Sequence, residues 1–192
     1  MVTEPTFSEL PSLANGRVLL RHVRSTDAAS LVTVFGDPLV SQSVSIPPTQ
    51  SLQQARTLLR DIERGFRSRT LFQWGVSIDG SPDLVGTCTL AQLDWTNERA
   101  EIGFALASRH WGQGIMPLAV STLLDHAFSS LRLHRMEADV DPRNQRSLRL
   151  LDRLGFERDG YLRERHLVGG ERQDAVVLGL LAPSWHRSRR GA

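Results

Sequence analysis

Arg109-His110-Trp111-Gly112-Gln113-Gly114 decides how this chain folds. Before it runs an alternating, strand-like stretch, Arg99-Ala100-Glu101-Ile102-Gly103-Phe104-Ala105-Leu106. After it comes a helix-like stretch, Ile115-Met116-Pro117-Leu118-Ala119-Val120-Ser121-Thr122-Leu123-Leu124-Asp125-His126-Ala127-Phe128. Two glycines one residue apart therefore sit where a strand becomes a helix. The first turn of a helix carries N–H groups without internal partners and the positive end of the helix dipole. Glycine lets that backbone take positive φ and approach a ligand closely. This chemistry suits an anion, phosphate above all, although a plain structural turn reads the same way. Pro117 fits early in such a helix, where its missing N–H costs nothing.

A second segment follows another strand: Asp141-Pro142-Arg143-Asn144-Gln145-Arg146-Ser147-Leu148-Arg149-Leu150-Leu151-Asp152-Arg153-Leu154-Gly155-Phe156. Together, in this order, the two segments resemble the acyl-CoA-binding core of the GNAT superfamily of N-acetyltransferases. Arg109 to Gly114 matches that family's Arg/Gln-x-x-Gly-x-Gly/Ala motif. Asn144 and Ser147 match its Asn-x-x-Ser helix, which ends in Leu-Gly-Phe. Asp159 to Glu164 and Gly170 to Asp174 are similar to the RimJ/RimL branch, which acetylates protein N-termini. The likeness runs from about Arg17 to Leu181.

The chain has 192 residues, enough for one domain with a sizeable core. We expect a single domain over 1–192, with an N-terminal arm at 1–16 and a basic tail at 183–192. No apolar run suits a membrane span, and the N-terminus lacks an apolar signal core, so a cytoplasmic protein is expected. The one cysteine, Cys88, rules out an internal disulfide; it lies in an apolar strand pattern and reads as a buried thiol. All 23 Lys+Arg residues are arginine. A Schiff-base lysine and a P-loop lysine are thereby excluded. Net charge is only +2, which does not call for nucleic acid. Arg143, Arg146, Arg149 and Arg153 share one helix, either as a solvated face or as a grip on a phosphorylated cofactor.

Hydrophobic periodicity and turn signals give a first strand at 17–24, a helix from Ser25-Thr26-Asp27 to about Phe35, and a loop at 39–50. A helix at 52–67 follows, with Leu52, Ala55, Leu58, Leu59, Ile62 and Phe66 toward the core. Strands at 71–78, 84–93 and 99–107 form a meander. Helix 113–131, strand 134–140, helix 144–154 and a closing hairpin, 156–168 with 171–181, complete the order. A helical crossover makes the strands on either side of helix 113–131 parallel. The expected fold class is α/β (α+β), a mixed, mostly antiparallel, seven-stranded sheet with helices on both faces; the GNAT resemblance implies that its central parallel pair is splayed.

The resemblance implies acetyl-CoA as co-substrate and direct acetyl transfer to a primary amine, either a protein N-terminus or a small molecule. It implies that the backbone of Phe104, Ala105 and Leu106 lies beside pantetheine. The amides of Trp111, Gly112, Gln113, Gly114 and Ile115 would hold the pyrophosphate, and Asn144 the pantetheine arm, unless Asn144 is simply a helix cap. Many relatives carry a tyrosine acid where this chain has Leu151, and the only tyrosine, Tyr161, is on another segment. Ser147 takes that role in the RimJ/RimL pattern. The base is Glu101 or His166, with Glu137 and Asp139 alternating nearby; Glu101 also reads as a strand charge paired with Arg99 or Arg21. Asp174 reads as structural or substrate-orienting. The loop at 39–50 borders the acceptor by resemblance. Leu118 replaces a glutamate common in this branch. The resemblance also allows a homodimer. No metal, membrane or nucleic-acid partner is expected. The rival readings are a non-catalytic acyl-CoA-binding module and an enzyme using another acyl-CoA, such as succinyl-CoA.

Overall fold

The computed structural model describes residues 7–41 and 48–190. Its centre is a sheet of eight strands ordered β1-β2-β3-β4-β5-β6-β8-β7. The strands are β1 (Leu13–Asn15), β2 (Val18–His22), β3 (Leu71–Ile78), β4 (Gly86–Asp94), β5 (Arg99–Leu106), β6 (Arg135–Val140), β7 (Glu157–Val168) and β8 (Glu171–Leu181). The helices are α1 (Ala28–Phe35), α2 (Pro38–Ser41), α3 (Leu52–Arg67), α4 (Ile115–Ser129), α5 (Gln145–Arg153) and α6 (Ala182–Arg190). All neighbouring strands are antiparallel except β5 and β6.

The expected count of seven strands is corrected to eight. Leu13–Asn15 pairs antiparallel with β2, Leu13 opposite Leu20. Three residues are too few to show alternation, and edge pairing rather than local pattern makes this strand. The basic tail also has structure: 182–190 is helical. Trp185 is buried there and donates its indole N–H to Asp125 at 2.8 Å. Arg189 reaches the same carboxylate at 2.5 Å. Tertiary contacts therefore override a Pro- and Ser-containing stretch of low apolar content.

Two apolar layers cover the sheet. One joins α4 and α5 to Leu20, Trp74, Val76, Ile102, Met136, Ala138 and Val140. The other joins α1 and α3 to Leu84, Ala105 and Ala107. Ser51 caps α3 by accepting from the Gln54 amide at 3.2 Å. Ala55 and Ile62 are buried along α3, whereas Leu52 is exposed. Cys88 is buried with its Sγ 3.8 Å from Met116 Sδ, and burial pushes its thiol pKa up, as befits an inert thiol. No helix among the described residues is long and apolar enough to cross a membrane.

His126 lies edge-on to Trp74, ring centroids 5.8 Å apart, and its Nε2 has no partner among the described residues. Burial lowers its pKa. Its neutral form therefore supports the fold fully above the unfolded value of about 6.5, and that support is lost as pH falls from there toward the lower folded value. Thermal unfolding at pH 5 and pH 8 should show a smaller fall in Tm for His126→Phe than for wild type. Equal falls would remove His126 as the cause.

Candidate acyl-CoA cleft

β5 and β6 start as neighbours and then part. Their register covers only Arg99–Arg135, Ala100–Met136 and Glu101–Glu137. Beyond Glu101, β5 continues against β4, with Phe104 opposite Cys88, Ala105 opposite Thr87 and Leu106 opposite Gly86. β6 continues against β8. The inner edge of Phe104 to Leu106 thus faces no strand, and unpaired backbone groups there need another partner.

A cleft of about 910 Å³ opens at this fork. It is lined by Phe104, Ala105, Leu106, Trp111, Gly112, Gln113, Gly114, Ile115, Asn144 and Ser147, so every residue expected to hold the cofactor is on its wall. Gly112 and Gly114 have φ of 77° and 73°, and a side chain at either would meet nothing within 4 Å. Gly114 is the cap residue of α4, so the helix starts with open space before its free amides. Trp111 donates its indole N–H to the Leu106 carbonyl at 2.8 Å, fastening the loop to the end of β5. The Arg146 guanidinium lies 4.1 Å from the centre of the Trp111 ring.

Among the described residues Arg143, Arg146, Arg149 and Arg153 all line the cleft, and no carboxylate does. Arg143 is tied to Asp141 at 2.7 Å and Glu171 at 3.3 Å. Among the described residues Arg146, Arg149 and Arg153 have no salt-bridge partner. Of the two readings of this helix face, the grip on an anion gains support. Asn144 Oδ1 accepts from the Ser147 amide at 3.1 Å and caps α5. The Ser147 hydroxyl makes no hydrogen bond among the described residues. These features fit a phosphorylated, amide-bearing ligand.

Glu101 and His166 lie outside the cleft wall. Glu101 shares the face of β5 with Gly103 and Ala105, toward α1 and α3. The expected arginine partners do not take it: Arg99 binds Glu137 at 2.8 Å and Arg21 binds Asp27 at 2.8 Å. Among the described residues Glu101 has no salt bridge. Burial raises its pKa and the charge of Asp139 adds to that; Arg165 opposes them by less than either, and Glu137 adds least. Glu137 is held by both Arg99 and Arg135. Asp139 accepts from Arg165 Nε at 3.0 Å and stands 3.7 Å from His166 Nε2. Glu101 is thus the least neutralised of the three strand carboxylates. Asp174 accepts from the Tyr161 hydroxyl at 2.5 Å and from the Glu164 amide at 2.8 Å, which is a structural role. Leu118 is partly buried and packs against the core, so its apolar character serves packing.

Leu39 and Val40, expected in the acceptor loop at 39–50 but helical as part of α2, line the cleft, as does His110 of the glycine segment. Asp37 brings the first two there by accepting from the Ser108 amide at 3.0 Å. Such a link between residues far apart has no local sequence signal. Of the acceptor loop at 39–50, residues 42–47 lie outside the described residues.

Comparison with known proteins agrees with this geometry. Residues 17–157 match the acetyltransferase (GNAT) domain family. The uncharacterized N-acetyltransferase p20 of Bacillus licheniformis is 33% identical over 172 residues, covering 90% of this chain and 97% of that protein. The [ribosomal protein uS5]-alanine N-acetyltransferase of Escherichia coli is 26% identical over 187 residues, covering 92% and 94%. Among solved structures, Mycobacterium smegmatis RimJ in complex with CoA-disulfide superposes with a TM-score of 0.79 at 27% identity, covering 92% and 90%. The chain belongs to the acetyltransferase (GNAT) family and is an N-acetyltransferase.

Proposed function

We propose that the chain transfers the acetyl group of acetyl-CoA to the N-terminal α-amine of a protein. The observation that carries this reading is the fork after Glu101–Glu137, which opens β5 onto an arginine-lined cleft on one side and a carboxylate on the other. The activity of the uS5-alanine relative is the precedent for a protein N-terminus as acceptor.

In this reading the amides from Trp111 to Ile115 and the guanidinia of Arg146, Arg149 and Arg153 hold the phosphates. The free edge of Phe104 to Leu106 and the Asn144 amide group receive the pantetheine arm. Bound acetyl-CoA supplies an activated thioester. Glu101 takes a proton from the incoming ammonium, leaving a neutral amine able to attack the thioester carbon. A backbone N–H of β5 steadies the oxyanion as the C–N bond forms. As the C–S bond breaks, the new amide nitrogen gives up its extra proton, and Ser147, hydrogen-bonded to the departing sulfur, relays that proton to it. His166, held near Asp139, flanks the amine side.

The test is release of free CoA thiol from acetyl-CoA in the presence of N-terminal peptides, small amines and no acceptor, with succinyl-CoA run in parallel. Peptide-dependent release above all small amines is expected. Ser147→Ala should lower kcat about tenfold, ~1.4 kcal/mol, the worth of one hydrogen bond, with acetyl-CoA affinity kept. Unchanged kcat would remove Ser147 from the proton path. Tight binding without turnover on any amine would favour a non-catalytic acyl-CoA-binding module.

A further inference from the structure

The last register pair before the fork sets two carboxylates side by side, Glu101 of β5 and Glu137 of β6. Two residues earlier the register pairs Arg99 with Arg135. Side chains alternate faces along a strand, so these four share one face of the sheet. Two cations therefore stand beside two anions. Matched along the strands, each arginine would serve the glutamate two residues on. The structure pairs them otherwise. Arg99 Nη1 reaches across to Glu137 Oε2 at 2.8 Å, and Arg135 Nε donates to Glu137 Oε1 at 2.7 Å. Both arginines go to Glu137.

Each arginine is also held from its outer side. Asp94 stands opposite Arg99 in the β4–β5 register, with a carboxylate oxygen 3.6 Å from Arg99 Nε. Asp94 is itself fixed, accepting from the Asn97 backbone amide at 3.0 Å and from its side-chain amide at 2.7 Å. Arg135 Nη2 donates to Asp159. That pair lies over Gly179 of β8, the residue opposite Glu137. A side chain at Gly179 would press on the Asp159 carboxylate and the Arg135 guanidinium. The result is a ladder of alternating charge, Asp94–Arg99–Glu137–Arg135–Asp159, that runs from β4 to β7 beside Glu101. Its side chains are 26–41% exposed, so water screens the ladder only in part.

We infer that Glu137 is a positioning residue for acetyl transfer: it draws Arg99 and Arg135 away from Glu101 and keeps that carboxylate free to take the proton of the incoming amine. This rests on the reading of Glu101 as the base. A carboxylate paired with a guanidinium is a weaker base, and its acceptor oxygens are occupied. Arg99 is two residues from Glu101 on the same face of the same strand, close enough to turn to it. Glu137 bridges the two cations, and Asp94 and Asp159 hold them in line. The charges acting on Glu101 are those of Asp139 and Glu137 from β6 and of Arg165 from β7. Arg165 is bonded to Asp139 at 3.0 Å, and His166 stands 3.7 Å from the same carboxylate. These groups lie outside the ladder and stay as a constant background when Glu137 is changed.

The test is kcat/KM for an N-terminal peptide as a function of pH, read by release of CoA thiol from acetyl-CoA with the full chain. Glu137→Gln leaves two arginines beside Glu101. It should lower kcat/KM about tenfold. It should also move the acid limb, the one that Glu101→Gln abolishes, to lower pH by about one unit. Adding Arg99→Gln should restore about half of that loss or more and bring the limb back up, which damage to the fold would not do. In the Glu101→Gln background, Glu137→Gln should have no further effect. Asp94→Asn loosens only the outer end of the ladder. It should move the limb the same way by less, and it serves where Glu137→Gln does not fold. A limb that stays in place in both variants, or a loss that Arg99→Gln does not restore, would overturn the inference and leave Glu101 as the base. Full activity of Glu101→Gln would instead overturn the reading on which it rests.

Discussion

Gly114→Val weakens acetyl-CoA binding about 100-fold, ~2.7 kcal/mol, when titrated by calorimetry against wild type. The reason is local. Gly114 stands at φ 73°, in the left-handed region that a β-branched residue adopts only with strain. Nothing lies within 4 Å of a side chain placed there, so the valine meets no protein atom and projects into open space at the head of α4. That space is where the proposed reading puts the pyrophosphate, against free amides whose charge-assisted hydrogen bonds are worth about 1.5–3 kcal/mol each. Strain alone would also lower stability, so Gly80→Val is the control. Gly80 has the same φ of 73° in the β3–β4 hairpin and an equally open surrounding. Both variants should lose Tm by a similar amount, and only Gly114→Val should lose affinity. Equal affinity in all three proteins would separate the glycine loop from acyl-CoA binding.

The second large effect concerns Glu101. Glu101→Gln should lower kcat/KM by about 100-fold or more, the usual scale for a lost general base, while acetyl-CoA affinity stays within a factor of two. It should also leave the fold unharmed or raise Tm at neutral pH. The sign follows from its pKa, which burial raises above the ordinary carboxylate value. The folded state then holds this proton more tightly than the unfolded chain, so stability falls as pH rises through the interval between the two values and is lowest above the folded one. Glutamine removes that cost. Activity runs the other way: the wild-type kcat/KM should fall as pH drops through the raised Glu101 value, and the variant should lose that limb. An activity loss with His166→Gln and none with Glu101→Gln would move the base to His166.

Much of the cleft was legible because its parts are local. Gly112, Gly114, Asn144 and Ser147 sit at fixed distances from a strand end and two helix starts, and short-range turn and capping chemistry puts them on one wall. The amine side was less legible. Glu101, Asp139 and His166 come from β5, β6 and β7, and only strand register and the fork bring them near one another. The sequence offered four acids and a histidine there, and the arginine partners that separate them are tertiary facts: two for Glu137, one for Asp139, none among the described residues for Glu101. The short edge strand at Leu13–Asn15 and the helix at Ala182–Arg190 were hidden for the same reason. One is made by pairing with β2, and the other by the seat of Trp185 against the core and Asp125. Leu52 shows the reverse error, an apolar residue in phase with a buried stripe that the fold leaves exposed.

The most direct test of the account is amine-dependent release of CoA thiol from acetyl-CoA by the purified full chain, read alongside the affinity for acetyl-CoA. The account predicts saturable binding, release that requires an N-terminal peptide, and loss of binding with Gly114→Val but of release alone with Glu101→Gln. Absence of saturable acetyl-CoA binding, or release that Glu101→Gln and Ser147→Ala both leave intact, would contradict it.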